Sequence, residues 1–338
     1  RYPLRVFTGA LLIVLAVLFL FSFRYIALAA LVGVMIGVLP EPAIRWFHER
    51  WRIPRGGGAI LIGLGALGLL VGLGIGVYAT VVPQVQRLAT QAPAIAERLN
   101  EYKEMIVERL GATGMDLQQL DVAGVAQTGM GLIMKGLSVG IEGLAGVIVV
   151  LMIGLFVAAN YRTYGCGALT AFPPRHRARV GSLADGSAHV LRRWFAGQLV
   201  VVTISGILTG LAMLLIGIDY WLLIAVLTVI LDFVPFIGAV ITGAIAVVLT
   251  LGTEPEKVVW VLLAFVGIQQ IESNVILPIV LKETIRLPEA HLLVFVVVLG
   301  GAFGILGVFV APPLFAVLHY LYRKAYVPWV ERRDAAPP

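Results

Sequence analysis

The stretch "YWLLIAVLTVILDFVPFIGAVITGAIAVVLTL", residues 220–251, runs for thirty-two positions and holds a single charged residue, Asp232. As one continuous helix it would reach about 48 Å at 1.5 Å per residue. Fitting that length into about 30 Å of hydrocarbon needs a tilt near 50°, beyond the roughly 40° that spanning helices show. A hairpin that enters and leaves on one side of the bilayer fits better. Its turn falls at "VPFIG", residues 234–238, where Pro235 lacks a backbone donor and Gly238 suits a tight reversal.

The rest of the chain agrees with a membrane setting. Sixty per cent of its 338 residues are hydrophobic and 13% are charged, with a mean hydropathy of +0.98. That leaves too little polar surface for a soluble domain of this size. The apolar runs exceed the roughly 18 residues of a spanning helix, and the ten-residue alternation of an outer-membrane barrel is missing. The expected fold is therefore an all-α polytopic membrane protein with about eight hydrophobic segments. The pI of 9.6 does not point to nucleic acid, because the arginines cluster beside apolar runs, as on a cytoplasmic membrane face.

Four regions are expected. Residues 1–82 carry three spans: Val6 to Phe23, read as retained despite the cleavage-like "ALAA" at 27–30; Tyr25 to Leu39; and about 58–82. In the third, Gly68, Gly72 and Gly76 share a helical face and read as a packing seam, with a substrate groove as the alternative. Residues 83–136 form a small helical extramembrane domain, because Leu88, Ala92, Ile95, Leu99, Tyr102 and Ile106 recur at helical spacing among charges. That stripe packs either on a second helix near 116–135 or on another copy, so a homo-oligomer is expected. Residues 137–193 hold a fourth span and a basic loop, in which Arg162, Arg175, Arg177, Arg179, Arg192 and Arg193 face only Asp185. The positive-inside rule puts this loop and both termini in the cytoplasm.

Residues 194–338 form the transport region. A fifth span, Trp194 to Ile218, precedes the 220–251 run. The pattern then repeats: Val258 to Leu281 is a span, "KETIRLPE" (282–289) is a polar break, and Ala290 to Tyr322 is a second overlong run containing Gly300, Gly301 and Gly304. Two span-plus-hairpin units follow from this, with each re-entrant turn about forty residues after its span begins. A hairpin does not change sides, so the second unit runs opposite to the first. Inverted repeats with broken helices are a recurring plan of secondary transporters, with the binding site near the bilayer midplane.

Polar groups interrupt both halves at that depth. Asp232 lies near the middle of its run, and "GIQQIESNVILP" (267–278) places Gln269, Gln270, Glu272, Ser273 and Asn274 near the middle of another. A charged residue there costs about 2.5 to 3.5 kcal/mol on insertion scales, so such groups face a cavity or one another. In the fifth span Gln198, Ser205 and Thr209 make a polar stripe at spacings of seven and four. Asp232, Glu272, Asn274, Gln269, Gln270 and Gln198 are therefore the candidate site for a small polar solute, or for a proton or Na+ that drives it. The alternative is an interhelical network that only holds the hairpins together.

Other chemistry has little support. The sequence lacks a GxxxxGK[ST] loop and an HExxH motif, and its five histidines are scattered. Cys166 is the only cysteine, which excludes an internal disulfide and a cysteine metal motif. No enzyme activity, cofactor or metal is expected. The other class in play is a channel or oligomeric membrane scaffold.

Four motifs carry a resemblance: "RRWFAGQ" (192–198), "LDFVPFIGAVI" (231–241), "IESNVILPIVLKETIRLPEAHLL" (271–293) and "GGAFGILGVFVAPPLFAVL" (300–318). Together they resemble the autoinducer-2 exporter family of bacterial permeases along nearly the whole chain. The resemblance implies a multi-pass inner-membrane exporter of small polar molecules such as the autoinducer-2 signal. Some relatives are described as sodium or lithium/proton antiporters. Carried over by motif, Asp232, Pro235, Gly238, Glu272, Asn274 and Pro278 form the core of the transport region. The family more often has Glu followed directly by Asn where this chain reads Glu272, Ser273, Asn274.

Overall fold

The computed structural model describes residues 24–110, 124, 131, 144–235, 237–281 and 288–334. The expected first span, most of the second extramembrane helix and most of the "KETIRLPE" break lie outside them. Among the described residues the fold is helical without strands: α1 Arg24–Val38, α2 Glu41–Trp51, α3 Arg55–Leu110, α4 Leu144–Ala159, α5 Tyr161–Thr170, α6 Pro174–Ile216, α7 Trp221–Leu231, α8 Ile237–Thr253, α9 Val258–Ile271, α10 Leu277–Leu281, α11 Glu289–Phe303, α12 Ile305–Leu321 and α13 Val327–Asp334. Five helical stretches among the described residues are long and apolar enough to cross a membrane. A sixth is added if α4 and α5, bent by 84° at their junction, count as one span. The chain is a multi-pass helical membrane protein.

The helices form two compact units. The first comprises residues 1–67, 143–194 and 287–338, and the second 68–142 and 195–286.

In the first unit α1 lies against α4 at a glycine crossing. A Cβ on Gly37 would sit 2.6 Å from the Gly154 carbonyl oxygen, and one on Gly33 2.5 Å from the Ile153 side chain. Small residues four apart let the two backbones approach, which is how membrane helices gain packing contacts in lipid. By contrast, a Cβ added at Gly68, Gly72 or Gly76 would meet nothing within 4 Å among the described residues. The overlong run 290–322 is broken at Gly304, whose φ of 64° and ψ of −149° belong to a region that only glycine enters readily. The chain folds back there: Val308 stands over Gly300, and the rings of Phe295 and Phe315, on either side of the break, lie 5.5 Å apart.

In the second unit the run 220–251 is also two helices. α7 has 11 residues and α8 has 17; at about 16 Å, α7 is too short to cross about 30 Å of hydrocarbon. Both ends of the run belong to one core. Tyr220, Leu223 and Ile224 are buried with Ala246 and Leu249, together with Met213 of α6 and Val261 of α9. The run therefore doubles back on itself.

Helix α3 closes the base of this hairpin. Val81, Val85, Leu88 and Ile95 are buried in the same core, so the apolar stripe of α3 packs here over at least part of its length. Its polar residues at seven-residue intervals bind the hairpin ends. Gln84 Oε1 accepts from the Leu223 N–H at 3.1 Å, in the first turn of α7. Gln91 Oε1 accepts from the Tyr220 hydroxyl at 2.7 Å, and Arg98 donates to the Gly252 carbonyl in the last turn of α8 at 3.3 Å. Gln84 and Arg98 satisfy backbone atoms that helix ends leave unpaired, and a cation suits the negative end of α8.

Two stretches differ from their sequence reading. α3 runs unbroken through Pro83, where a boundary between span and extramembrane domain was expected, and on through Pro93. The basic segment after residue 174, read as a loop, forms the first half of α6. Its Arg192 bonds to the Val38 carbonyl and Glu41, each at 3.4 Å.

Candidate functional site

The site grows from two local breaks in helix geometry. The first is the turn between α7 and α8. Thr228 donates to the Ile224 carbonyl, and Asp232 N–H to the Thr228 carbonyl, at the last turn of α7. Pro235 follows, and the Gly238 N–H returns to the Val234 carbonyl at 3.1 Å. A Cβ on Gly238 would collide with the Leu231 carbonyl and the Asp232 nitrogen, so the close approach of α8 to the end of α7 requires glycine. The second break is a π-helical turn at Glu272–Ile276 between α9 and α10. Its wider i→i+5 bonding rotates the side chains that follow, and such turns are frequent at functional sites.

Helix α6 meets both breaks. Gln198 Nε2 donates to the Asp232 backbone carbonyl at 2.7 Å, satisfying an acceptor that the broken helix leaves open. Two turns on, Ser205 Oγ donates to Glu272 Oε2 at 2.7 Å. Asp232 and Glu272 are 3% and 7% exposed. Glu272 is near enough for its charge to act on Asp232. Two acids withdrawn from water are a costly arrangement for an apolar chain. Thr209, the next polar residue of the α6 stripe, is 1% exposed, and its hydroxyl has no hydrogen-bond partner among the described residues.

The predicted site residues separate into two groups. Gln198, Asp232 and Glu272 are buried together with Ser205. Gln269 is half-buried, while Gln270, Asn274 and Pro278 are exposed. Asn274 Nδ2 donates to the Gln270 carbonyl and to Gln270 Oε1, both at 2.9 Å, within its own helix. At about 100° per residue, positions 270 and 274 lie on the far side of the helix from 272. Pro235 and Gly238 stand at the first turn, and Gly300 and Gly304 at the second. A Cβ on Gly301 would meet open space. Ser205 was visible in the α6 stripe, but its partner was not. Gln84, Gln91 and Arg98 were missed, although their seven-residue spacing was a legible signal.

Among the described residues, no group of three or more His, Cys, Asp and Glu side chains is placed to hold a metal ion.

A multi-pass helical membrane protein with two helix hairpins and a buried acid pair beside one of them is thereby defined. The chain belongs to the AI-2E family transporter family, whose profile matches residues 9–326. It is 24% identical to "Putative transport protein YueF" of Bacillus subtilis (strain 168) over 151 residues, 45% of this chain and 41% of that protein. It is 26% identical to "Putative permease PerM" of Escherichia coli (strain K12) over 182 residues, 52% of this chain and 50% of that protein. Against "Putative transport protein MT0215" of Mycobacterium tuberculosis it is 23% identical over 308 residues, 87% of this chain and 82% of that protein. The chain thus spans about half the length of YueF and PerM.

Proposed function

We propose that this protein is a secondary transporter of the bacterial inner membrane that exports small polar solutes, such as an autoinducer-2-like signal, coupled to a proton or Na+ exchanging at Asp232 and Glu272. The observation that carries the proposal is the burial of both carboxylates, with Ser205 bonded to Glu272 and Gln198 bonded to the broken backbone at Asp232. Two acids within reach of each other's charge provide a place for one cation or proton to reside and leave.

The α7–α8 pair is re-entrant in this reading. Asp219, Glu254, Lys257 and Arg98 stand at its base, and the turn after Asp232, with Pro235 and Gly238, is its tip. The α11–α12 pair is its counterpart in an inverted repeat, each pair following a span. Sodium/proton antiport without a solute is the second reading, because the acid pair would suffice for it.

Flux into proteoliposomes under imposed pH and Na+ gradients tests the assignment, using Asp232→Asn and Glu272→Gln. Each neutral variant is expected to lose gradient-driven flux while remaining folded. Wild-type flux with unaltered ion dependence in both would remove the site.

A further inference from the structure

In the first unit a cleft of about 220 Å³ opens where α2, the start of α3 and the α4–α5 bend converge. Arg45, Arg55, Asn160, Thr163 and Glu41 line it over Ile44. Glu41 is paired with Arg192 at 3.4 Å, so its charge is already met. Neither Arg45 nor Arg55 has an ion-pair partner among the described residues. The cleft is therefore lined by two arginines, on two different helices, that have no ion-pair partner among the described residues. Asn160, at the N-cap of α5, turns its amide to the Phe156 carbonyl at 3.3 Å and makes no cap bond to the first-turn N–H groups of α5. A helix start with open N–H groups adds to the positive potential on that side.

The depth of the cleft is legible too. The apolar helices α1 and α4 end at Val38 and Ala159, and the apolar part of α3 begins just after Arg55. Three hydrocarbon-compatible helices thus terminate around it. α2 sets an aromatic cluster at the same place: Trp46, Phe47 and Trp51 have ring centroids 5.1 to 5.3 Å apart, and Trp46 and Trp51 are 52% and 58% exposed. Exposed tryptophans beside arginines on a short helix between spans mark the headgroup level of a bilayer.

We propose that this cleft binds the phosphate of an anionic lipid headgroup, with the Arg45 and Arg55 guanidinium groups as its ligands and Trp46 and Trp51 seated at the acyl boundary. Arginine forks match phosphate oxygens two at a time, and basic pockets between membrane helices recognise such headgroups. The level of the cleft, at the ends of three apolar helices, selects a lipid over phosphate free in water.

Native mass spectrometry of the full chain in neutral detergent, with phosphatidylglycerol and phosphatidylcholine at equal mole fraction, tests this. The wild type is expected to carry phosphatidylglycerol adducts in preference. The preference is expected to fall about fivefold for each guanidinium lost, equivalent to about 1 kcal/mol each, in Arg45→Gln and in Arg45→Gln/Arg55→Gln. Arg50→Gln, on the same helix but outside the cleft, is expected to retain it. Because Arg45 is exposed, the single variant reports even if the double variant does not fold. Equal binding of the two lipids by the wild type would overturn the proposal, as would a preference unchanged in Arg45→Gln. Inorganic phosphate adducts lost in that variant, without any lipid preference, would make the cleft a free-phosphate site and overturn the lipid assignment.

Discussion

Gly238→Ala is the smallest change that interrogates the α7–α8 turn. The added methyl collides with main-chain atoms, the Leu231 carbonyl and the Asp232 nitrogen, which no rotamer change relieves. Carbon contacts settle near 3.5 to 4.0 Å, so the two helices must separate there by roughly an ångström. That movement strains the Gly238-to-Val234 bond at 3.1 Å and the Ile237-to-Pro235 bond at 2.8 Å. Overpacking costs about 1 to 3 kcal/mol, and each weakened hydrogen bond about 0.5 to 1.5 kcal/mol. The sum, on the order of 2 to 6 kcal/mol, corresponds to a fall in melting temperature of roughly 4 to 18 °C. Gly301→Ala is the matched control, because its methyl enters open space and alanine is favoured over glycine in a helix by about 1 kcal/mol. Thermal unfolding in detergent, followed by intrinsic fluorescence, and proteoliposome flux are the assays. Gly238→Ala is expected to melt early and transport poorly, and Gly301→Ala to match or exceed the wild type. If the two variants melted alike and transported at the wild-type rate, the close approach at Gly238 would not be what holds the turn.

Three further outcomes follow from the same contacts. Ser205→Ala removes a donor to a buried carboxylate and is expected to cost about 1.5 to 3 kcal/mol, whereas Thr209→Val, which deletes a hydroxyl with no partner among the described residues, is expected to be neutral or stabilising; comparing the two melting temperatures checks both. Gln91→Leu leaves the Tyr220 hydroxyl without its acceptor and is expected to cost about 1 to 3 kcal/mol, a loss that Tyr220→Phe in the same chain should largely cancel in a double-mutant cycle. After exposed Cys166 is replaced by Ser, the single variants Asp219→Cys and Glu256→Cys, at exposed positions flanking the two ends of the run, are expected to react with an impermeant thiol reagent from the same side of the membrane, and labelling from opposite sides would rule out a re-entrant pair.

Much of the architecture could be read directly from residue order. The length of the 220–251 and 290–322 runs against the thickness of a bilayer required that both be broken, and Pro235 and the glycines around 304 marked where. Asp232 and Glu272 could be singled out because charge in an apolar run is too costly to be incidental. These are local quantities: a count of residues, a side-chain volume, a transfer free energy.

Which surfaces meet was decided only in three dimensions. Gly68, Gly72 and Gly76 have the spacing of a helix crossing, yet among the described residues it is Gly33 and Gly37 against α4, and Gly206 and Gly210 against α7, that make close contacts. Periodicity states which residues share a face but not what lies opposite. The same holds at the site, where Asn274 shares a segment with Glu272 but not its side, and where Ser205 and Gln198 find partners 67 and 34 residues away. Nor could Pro83 be recognised as interior to α3, since a proline inside a helix is tolerated only when neighbouring packing offsets the lost bond. Burial cost along the chain thus set where helices begin, break and hide their acids, while partner choice awaited the crossing angles and close approaches that only packed helices possess.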